Sequence, residues 1–168
     1  EYLFTAKDIV NEWAEENIAD VLYGYADERF SRRIAKGIVT ARREASIETT
    51  LELEKIFEDS LPKVVLRKRG IHPATKTFQA LRIAVNDELT VLQQFIKDGF
   101  AHLAPGGRLA IITFHSIEDR VVKHSFRELA DSEQATLITK KPISPSEEEL
   151  ATNPRARSAK LRIIEKYS

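Results

Sequence analysis

The first 62 residues carry apolar positions at helical spacing and contain no alternating stretch that would indicate a strand. Thr5 and Asp8 form a capping-box pair in front of the first apolar face, which predicts that a helix begins there. A second, short helix is expected over about residues 15–23, with Gly24 as its stop.

Two further helices follow from the same spacing. Phe30, Ile34 and Ile38 recur on one face, with Arg and Lys on the opposite side. Thr49 or Thr50 caps another helix, which is expected to end at the next proline. This first segment is therefore predicted to form a compact all-helical unit.

A basic link over residues 62–70 leads into the longest periodic segment, from about Ala74 to Leu103. Its apolar positions fall at spacings of three and four and predict one continuous stripe. The members of that stripe are Phe78, Leu81, Val85, Leu89, Leu92, Phe95, Ile96 and Phe100. A Pro-Gly-Gly turn ends the segment.

The rest of the chain predicts strands. The apolar run from Arg108 to Phe114 is typical of a strand covered on both faces. A helix is expected over about 117–129, and further strands over 135–141 and 160–167. This order fits an α/β fold, as one half of a doubly wound sheet. Three strands with two faces to cover make a poor stand-alone domain, so we expect strands that precede Glu1.

Composition narrows the class of protein. Of the 168 residues, 42% are hydrophobic and 31% charged, which is typical of a soluble globular protein. No apolar run approaches the ~20 residues that a membrane span requires. The chain has no cysteine, which excludes disulfides and cysteine-based zinc sites and fits a cytoplasmic location. It also has no methionine and starts at Glu1, which suggests a fragment or a missing front part.

Charge is balanced overall, at 26 basic against 26 acidic residues, but it is segregated along the chain. No acid occurs between Asp59 and Asp87, nor from Phe30 to Arg43, and both stretches are rich in Lys and Arg. Such segregation suggests a local anionic partner such as RNA. Solvated helix faces would explain it equally simply.

The segment FHSIEDR places five polar side chains after the first predicted strand, where open α/β sheets bind ligands. Ser116 can cap the next helix, with Asp119 completing a capping box and Glu118 favoured by the helix dipole. That leaves His115 unexplained and Arg120 only partly explained. His115 is therefore the candidate for chemistry.

A hydrolase with Ser116 as nucleophile and His115 as base is rejected. Adjacent residues on an extended backbone point to opposite sides, so the pair would be badly placed. No glycine elbow surrounds the serine either.

Two other segments carry polar side chains that a plain amphipathic helix or loop would not require. Lys76, Gln79, Arg82 and Asn86 accompany the long periodic segment, where the last three can share a face that binds a phosphate or a base. Arg155 and Arg157 lie in a loop and could clamp phosphates. They could equally pair with the acidic cluster Glu147–Glu149 upstream.

Three long stretches resemble the hallmark segments of one family, the bacterial 16S ribosomal RNA cytosine-N4 methyltransferases (RsmH, also called MraW). These stretches are HPATKTFQALRIAVNDEL, LAPGGRLAIITFHSIEDRVVK and NPRARSAKLR. The opening AKDIVNEWAEENIADVLYGYADERFSRRIAKGIV is similar to the family's helical insertion. The resemblance extends over essentially all 168 residues, in the family's order.

The resemblance implies a Rossmann-like methyltransferase core interrupted by a helical domain. Residues 1–70 would be that insertion, with a role in RNA recognition, and residues 71–168 the C-terminal portion of the core. The implied reaction moves a methyl group from S-adenosylmethionine to the N4 amine of a cytidine in 16S rRNA of the small ribosomal subunit.

The cofactor site is the point where this chain departs from the family. The family's glycine-rich loop, the acid that holds the ribose and the segment facing the target amine all precede the insertion. None is in this sequence, so no cofactor-binding residue is assigned, and we expect S-adenosylmethionine to be bound mainly by residues absent from the chain. The 168 residues alone are expected neither to bind it well nor to methylate RNA; micromolar binding by calorimetry would contradict this. No metal is expected, and the oligomeric state is left open.

His115, at the end of the first predicted strand, is the candidate for lining the target pocket by stacking or hydrogen bonding, although a core histidine held by Glu118 or by a backbone group remains an alternative. The residues proposed to contact RNA are Lys76, Gln79, Arg82, Asn86, Arg120, Arg155, Arg157, Arg32, Arg33 and Lys36. The rival function is a non-catalytic RNA- or ribosome-binding module, which would explain the charge segregation equally well. A glycine-rich strand–loop–helix encoded upstream of Glu1 would favour the enzyme.

Overall fold

A computed structural model of the protein describes residues 4–68, 72 and 74–167. The chain divides into two compact units, Glu1–Asp87 and Glu88–Ser168. The domain boundary predicted at residue 70 falls outside the described residues. The division comes later because the helix Thr75–Asn86 packs within the first unit.

The first unit is all-helical in its described part, as the spacing predicted. Its helices are α1 (Ala6–Glu12), α2 (Glu15–Ala26), α3 (Ser31–Arg42), α4 (Thr50–Ser60), α5 (Lys63–Lys68) and α6 (Thr75–Asn86). Both predicted threonine caps are confirmed: Thr5 and Thr49 each form a complete capping box. The predicted basic link contains α5, which begins directly after Pro62, a residue suited to a helix start.

The core of this unit forms where α2, α3, α4 and α6 meet α1. Its fully buried members are Ile9, Ile18, Leu22, Ile34, Ala35, Ile38, Phe57 and Ala80. Arg42 links α3 to the end of α1 by hydrogen bonds, because its Nη1 and Nη2 donate to the carbonyls of Val10 and Trp13 at 3.0 and 2.8 Å. Those carbonyls belong to the end of α1, which has no further helical turn to satisfy them.

Gly24 does not end α2, contrary to the prediction. The helix continues to Ala26, and Asp27 takes the left-handed conformation with φ 48° and ψ 40°. Its backbone N–H donates to the carbonyls of Leu22 and Tyr23. A glycine inside a helix lowers its stability without stopping it, so the turn forms where the chain reverses toward α3.

The predicted continuous helix over 74–103 is likewise two helices. Asp87 adopts φ 49° and ψ 37°, which ends α6, and α7 (Glu88–Ala101) begins at the next residue. The break also changes the stripe. Ile96 and Phe100 are buried in the second unit, whereas Phe95 is 55% exposed.

The second unit is a mixed α/β structure. After α7 it contains β1 (Arg108–Thr113), α8 (Ser116–Asp131), β2 (Ala135–Leu137), α9 (Glu147–Thr152), a 3₁₀ helix (Pro154–Ser158) and β3 (Lys160–Lys166). The sheet order is β1-β3-β2, and both described pairings are antiparallel. Because β3 lies between them, β1 and β2 run in the same direction and are connected through α8.

Strand β2 is shorter than predicted. Beyond Leu137, the N–H groups of Ile138 and Thr139 both donate to the carbonyl of Ile163, at 3.0 and 3.2 Å. Two donors on one acceptor interrupt the regular ladder, so the strand ends there.

Only one face of β1 is covered by described residues, against the prediction of two. Ile111 is 8% exposed and joins Val122, Phe126 and Ile164 in the core of this unit. Ile112, on the opposite face, is 57% exposed. No helix among residues 4–68 and 74–167 is long and apolar enough to cross a membrane.

Gly37 of α3 packs closely against Ser60 of α4, and this contact yields a stability prediction. A methyl group at Gly37 would collide with the Ser60 hydroxyl, which donates to the Ile56 carbonyl at 2.6 Å. Gly24 has empty space around it. We expect Gly24→Ala to stabilise the unit by about 0.5–1 kcal/mol and Gly37→Ala to destabilise it by about 1 kcal/mol.

Urea unfolding followed by Trp13 fluorescence measures both effects. If the collision is the cause, Gly37→Ala becomes stabilising in a Ser60→Ala background. A Gly37→Ala variant as stable as Gly24→Ala would contradict the packing argument.

Candidate functional site

The start of α8 is built by His115 and Glu118. His115 is extended, with φ −140° and ψ 164°, and its Nδ1 accepts the Glu118 backbone N–H at 3.3 Å. In return, Glu118 Oε2 accepts the N–H groups of Phe114 and His115 at 3.0 and 3.3 Å. This is a reciprocal capping box at the carboxyl end of β1.

The predicted capping box of Ser116 and Asp119 is therefore wrong, because the box forms one residue earlier, between His115 and Glu118. Ser116 is the first helical residue and is exposed. Imidazole is not among the usual capping groups, which is why sequence patterns favoured the serine. Of the two readings of His115, the contact with Glu118 and backbone is the one that the described geometry contains.

The capping contact also fixes the proton on the imidazole. Because Nδ1 accepts a hydrogen bond, the neutral ring carries its proton on Nε2. That atom lies 3.2 Å from Glu118 Oε1. Glu88, His115 and Glu118 bring possible metal-ligand atoms within 4.8 Å of one another. A protonated Nε2 has no lone pair for a cation, so this arrangement does not suit a metal ion.

A second group, Glu54, Glu58 and His72, is similarly arranged at the surface. His72 Nδ1 accepts the Ala74 N–H at 3.4 Å, and Nε2 lies 2.8 Å from Glu54 Oε1. The same tautomer follows, with the same consequence for a cation.

Asp119 has a different role from the predicted one. Its carboxylate is 7% exposed and accepts two bonds from Arg162, Nε to Oδ1 at 2.7 Å and Nη2 to Oδ2 at 3.1 Å. Lys160 Nζ lies 3.6 Å from Oδ2. Burial acts to raise the pKa of Asp119, but the Arg162 hydrogen bonds and charge, aided by Lys160, outweigh it and hold the pKa below its ordinary value.

Arg162 was missed in the sequence, although two patterns contain the signal. Asp119, Val122 and Phe126 share one helical face, and Arg162 shares one strand face with Ile164. Both charged residues thus occupy inward positions of otherwise apolar stripes. Opposite charges in two such positions predict a buried pair.

The α6 candidates are only partly brought together. Arg82 and Asn86, both exposed, line one apolar cavity of about 300 Å³ with Phe78. Lys76 instead donates to the Asp27 carbonyl at 3.3 Å, at the end of α2. Gln79 is half-buried and is not part of that cavity lining.

The remaining candidates are exposed on three separate elements. Arg32 and Arg33 line one cleft on α3, with Lys36 exposed on the following turn. Arg120 is exposed on α8. Arg155 and Arg157 are exposed on the 3₁₀ helix, and within the described residues neither pairs with the Glu147–Glu149 cluster.

Comparison with known proteins identifies the family. A family model described as the MraW methylase family matches residues 1–167. The chain belongs to this family. The ribosomal RNA small subunit methyltransferase H of Synechococcus elongatus is 52% identical over 162 residues, covering 96% of the chain and 52% of that relative. The same-named protein of Brevibacillus brevis is 45% identical, covering 96% of the chain and 56% of the relative. The chain spans about half the length of the curated relatives it matches.

The buried Asp119–Arg162 pair predicts a large loss of stability on neutralisation. Asp119→Asn leaves the Arg162 guanidinium buried without a counter-charge, which costs about 3–5 kcal/mol. As a control, Glu165→Gln breaks the exposed pair with Arg108, where the expected loss is at most about 1 kcal/mol. Urea unfolding followed by circular dichroism compares the two variants; equal losses would contradict the buried-pair argument.

The pH dependence of the same variant follows from the pKa of Asp119. A carboxyl whose folded pKa lies below its ordinary 3.8 stabilises the protein fully above that pH. The contribution is lost as pH falls through the folded pKa. The stability difference between wild type and Asp119→Asn should therefore shrink below about pH 4. A difference that grows there would show that the sign is wrong.

Proposed function

We propose that the protein encoded by this gene is a methyltransferase that modifies 16S rRNA of the small ribosomal subunit. The methyl group would pass from S-adenosylmethionine to the N4 amine of a cytidine. The observation that carries this proposal is the family match over residues 1–167, together with relatives at 45–52% identity named ribosomal RNA small subunit methyltransferase H.

The two parts of the chain would have different roles. Residues 1–70 would be the inserted domain that recognises RNA, and residues 71–168 would be the last part of a Rossmann-like core. Two features support this assignment: β1 and β2 run in the same direction through α8, and His115 lies at the carboxyl end of β1.

The adjacent glycines of the described chain do not offer a cradle for the cofactor. Gly106 and Gly107 form the adjacent glycine pair, and their backbone is already committed: the Gly106 N–H donates to the Lys166 carbonyl at 3.0 Å and the Gly107 N–H to the Ala104 carbonyl at 2.8 Å. Neither N–H is left to cradle an anionic group. S-adenosylmethionine is therefore proposed to be held mainly by residues outside this chain.

His115 would line the pocket for the target base. Cytosine N4 is a poor nucleophile because its lone pair is delocalised into the ring, so the enzyme must orient the amine and accept its hydrogen bonds. Both nitrogens of His115 face Glu118, and its side chain is 14% exposed. The ring would thus serve by packing against the base, held rigid by the cap.

Methyl transfer tests the proposed function. Protein expressed from the complete gene is incubated with small ribosomal subunits and methyl-labelled S-adenosylmethionine, and the rRNA is digested to nucleosides. We expect labelled N4-methylcytidine. RNA binding without any transfer would favour the non-catalytic module, and label in another nucleoside would overturn the assigned reaction.

His115 can be tested in the same assay because asparagine is also a good helix cap. His115→Asn should retain the melting temperature, whereas His115→Ala should lose about 1 kcal/mol of stability. If the ring packs on the base, both variants lose turnover. Full turnover in His115→Asn would show that the residue serves only as a helix cap.

The residues proposed to contact RNA are Lys76, Gln79, Arg82, Asn86, Arg120, Arg155, Arg157, Arg32, Arg33 and Lys36. Arg155 and Arg157 are the simplest to examine because both are exposed. Neutralising a true phosphate contact should reduce the slope of log affinity against log salt by about 0.7–0.9. An unchanged slope for Arg155→Gln would remove that residue from the contact surface.

A further inference from the structure

A cleft of about 390 Å³ opens beside the turn that joins α2 to α3. Its lining includes Tyr23 and three arginines, Arg29, Arg32 and Arg33. Tyr23 is 62% exposed, an unusual state for an aromatic side chain on a packed helix. Arg29, Tyr23 and Ser31 were not among the candidates from the sequence.

The three arginines form no direct ion pair in the described chain, although Glu15, Glu16 and Asp20 line a neighbouring cleft together with Arg32. None of them forms a hydrogen bond or ion pair through its side chain with another residue of the described chain. Asp20 also lines the cleft but forms no ion pair with them. Three unpaired positive charges within five residues create a local attraction for an anion.

Ser31 adds a hydroxyl to the residues that line the cleft. The residue is 6% exposed, and its hydroxyl has no hydrogen-bond partner in the described part of the chain. The hydroxyl is still reached by solvent, since it is not one of the fully buried polar atoms that lack a partner. A phosphate oxygen beside the arginines would replace the water at that position.

The exposed tyrosine distinguishes among anionic ligands. Nucleotides of single-stranded RNA combine a phosphate with a flat base, and proteins bind them by pairing arginines with aromatic rings on which the base stacks. An acidic peptide would use the arginines but would have no need of the ring. The combination therefore favours a nucleotide.

We propose that this cleft binds one nucleotide of a single-stranded RNA. The base stacks on Tyr23, and the phosphate is held by Arg29, Arg32, Arg33 and the Ser31 hydroxyl. The proposal deepens the RNA-recognition part of the proposed function and names the chemistry of one subsite in the helical unit.

Direct binding to the protein expressed from the complete gene, measured without S-adenosylmethionine, tests the cleft without methyl transfer. A fluorescein-labelled single-stranded hexaribonucleotide is titrated and followed by anisotropy at fixed salt. Tyr23→Ala should weaken binding about 5- to 100-fold through lost stacking, and Tyr23→Phe should bind like wild type. Arg32→Gln with Arg33→Gln should weaken it at least about tenfold. Arg43→Gln is the matched control, because Arg43 is exposed in the same unit but does not line the cleft.

Two further measurements distinguish the proposal from misfolding of the variants and from simple charge attraction. Asp20→Asn should tighten binding about two- to fivefold, a gain that unfolding could not produce. An oligomer with the same phosphates but no bases should bind wild type as weakly as the normal oligomer binds Tyr23→Ala. Equal affinity for both oligomers, or equal losses in the cleft variants and Arg43→Gln, would overturn the proposal.

The result of this binding test can be distinguished from the result of the methyl-transfer test. If the cleft variants bind normally while N4-methylcytidine still forms, only the cleft proposal fails. If the cleft binds as expected and no methyl transfer occurs, the cleft proposal stands and the assigned reaction fails.

Discussion

The bidentate contact between Asp119 and Arg162 is the constraint on which the second unit depends. It fastens the first turn of α8 to β3, the middle strand of the sheet, with both side chains almost fully buried. A buried pair requires good geometry, because each partner is costly without the other. It therefore holds α8 in one orientation, and with it the position of the His115–Glu118 box.

The position of His115 depends on the contact between Asp119 and Arg162. The capping box holds the imidazole by one nitrogen and sets the other against Glu118, so the ring is presented rigidly at the end of β1. A side chain held in this way suits a surface that a base packs against better than a group that moves protons. The contacts of His115, Glu118 and Asp119 account for three of the polar side chains of FHSIEDR: the first two bind each other and backbone, and the third binds Arg162 of β3.

In the helical unit, two aspartates in the left-handed conformation set where helices end. Asp27 ends α2 and Asp87 ends α6, each donating its N–H to carbonyls of the preceding turn. Asp27 also sets the turn into α3, beside which the exposed arginines and Tyr23 gather. One of the two acid-free stretches, from Phe30 to Arg43, thus contributes Arg32 and Arg33 to a cleft that Tyr23 also lines.

The sequence by itself determined what depends on local periodicity and on long specific strings: the helical first segment, the threonine caps, the mixed α/β second unit and the family. Only the tertiary structure decided three features. The long apolar stripe continues through Asp87, so its spacing does not reveal the break. The cap moved from Ser116 to His115, because Asp119 is drawn inward by Arg162, 43 residues away. Arg29, Ser31 and Tyr23 form one cleft because α2 and α3 pack together, and contacts across two helices leave no mark in the periodicity of either.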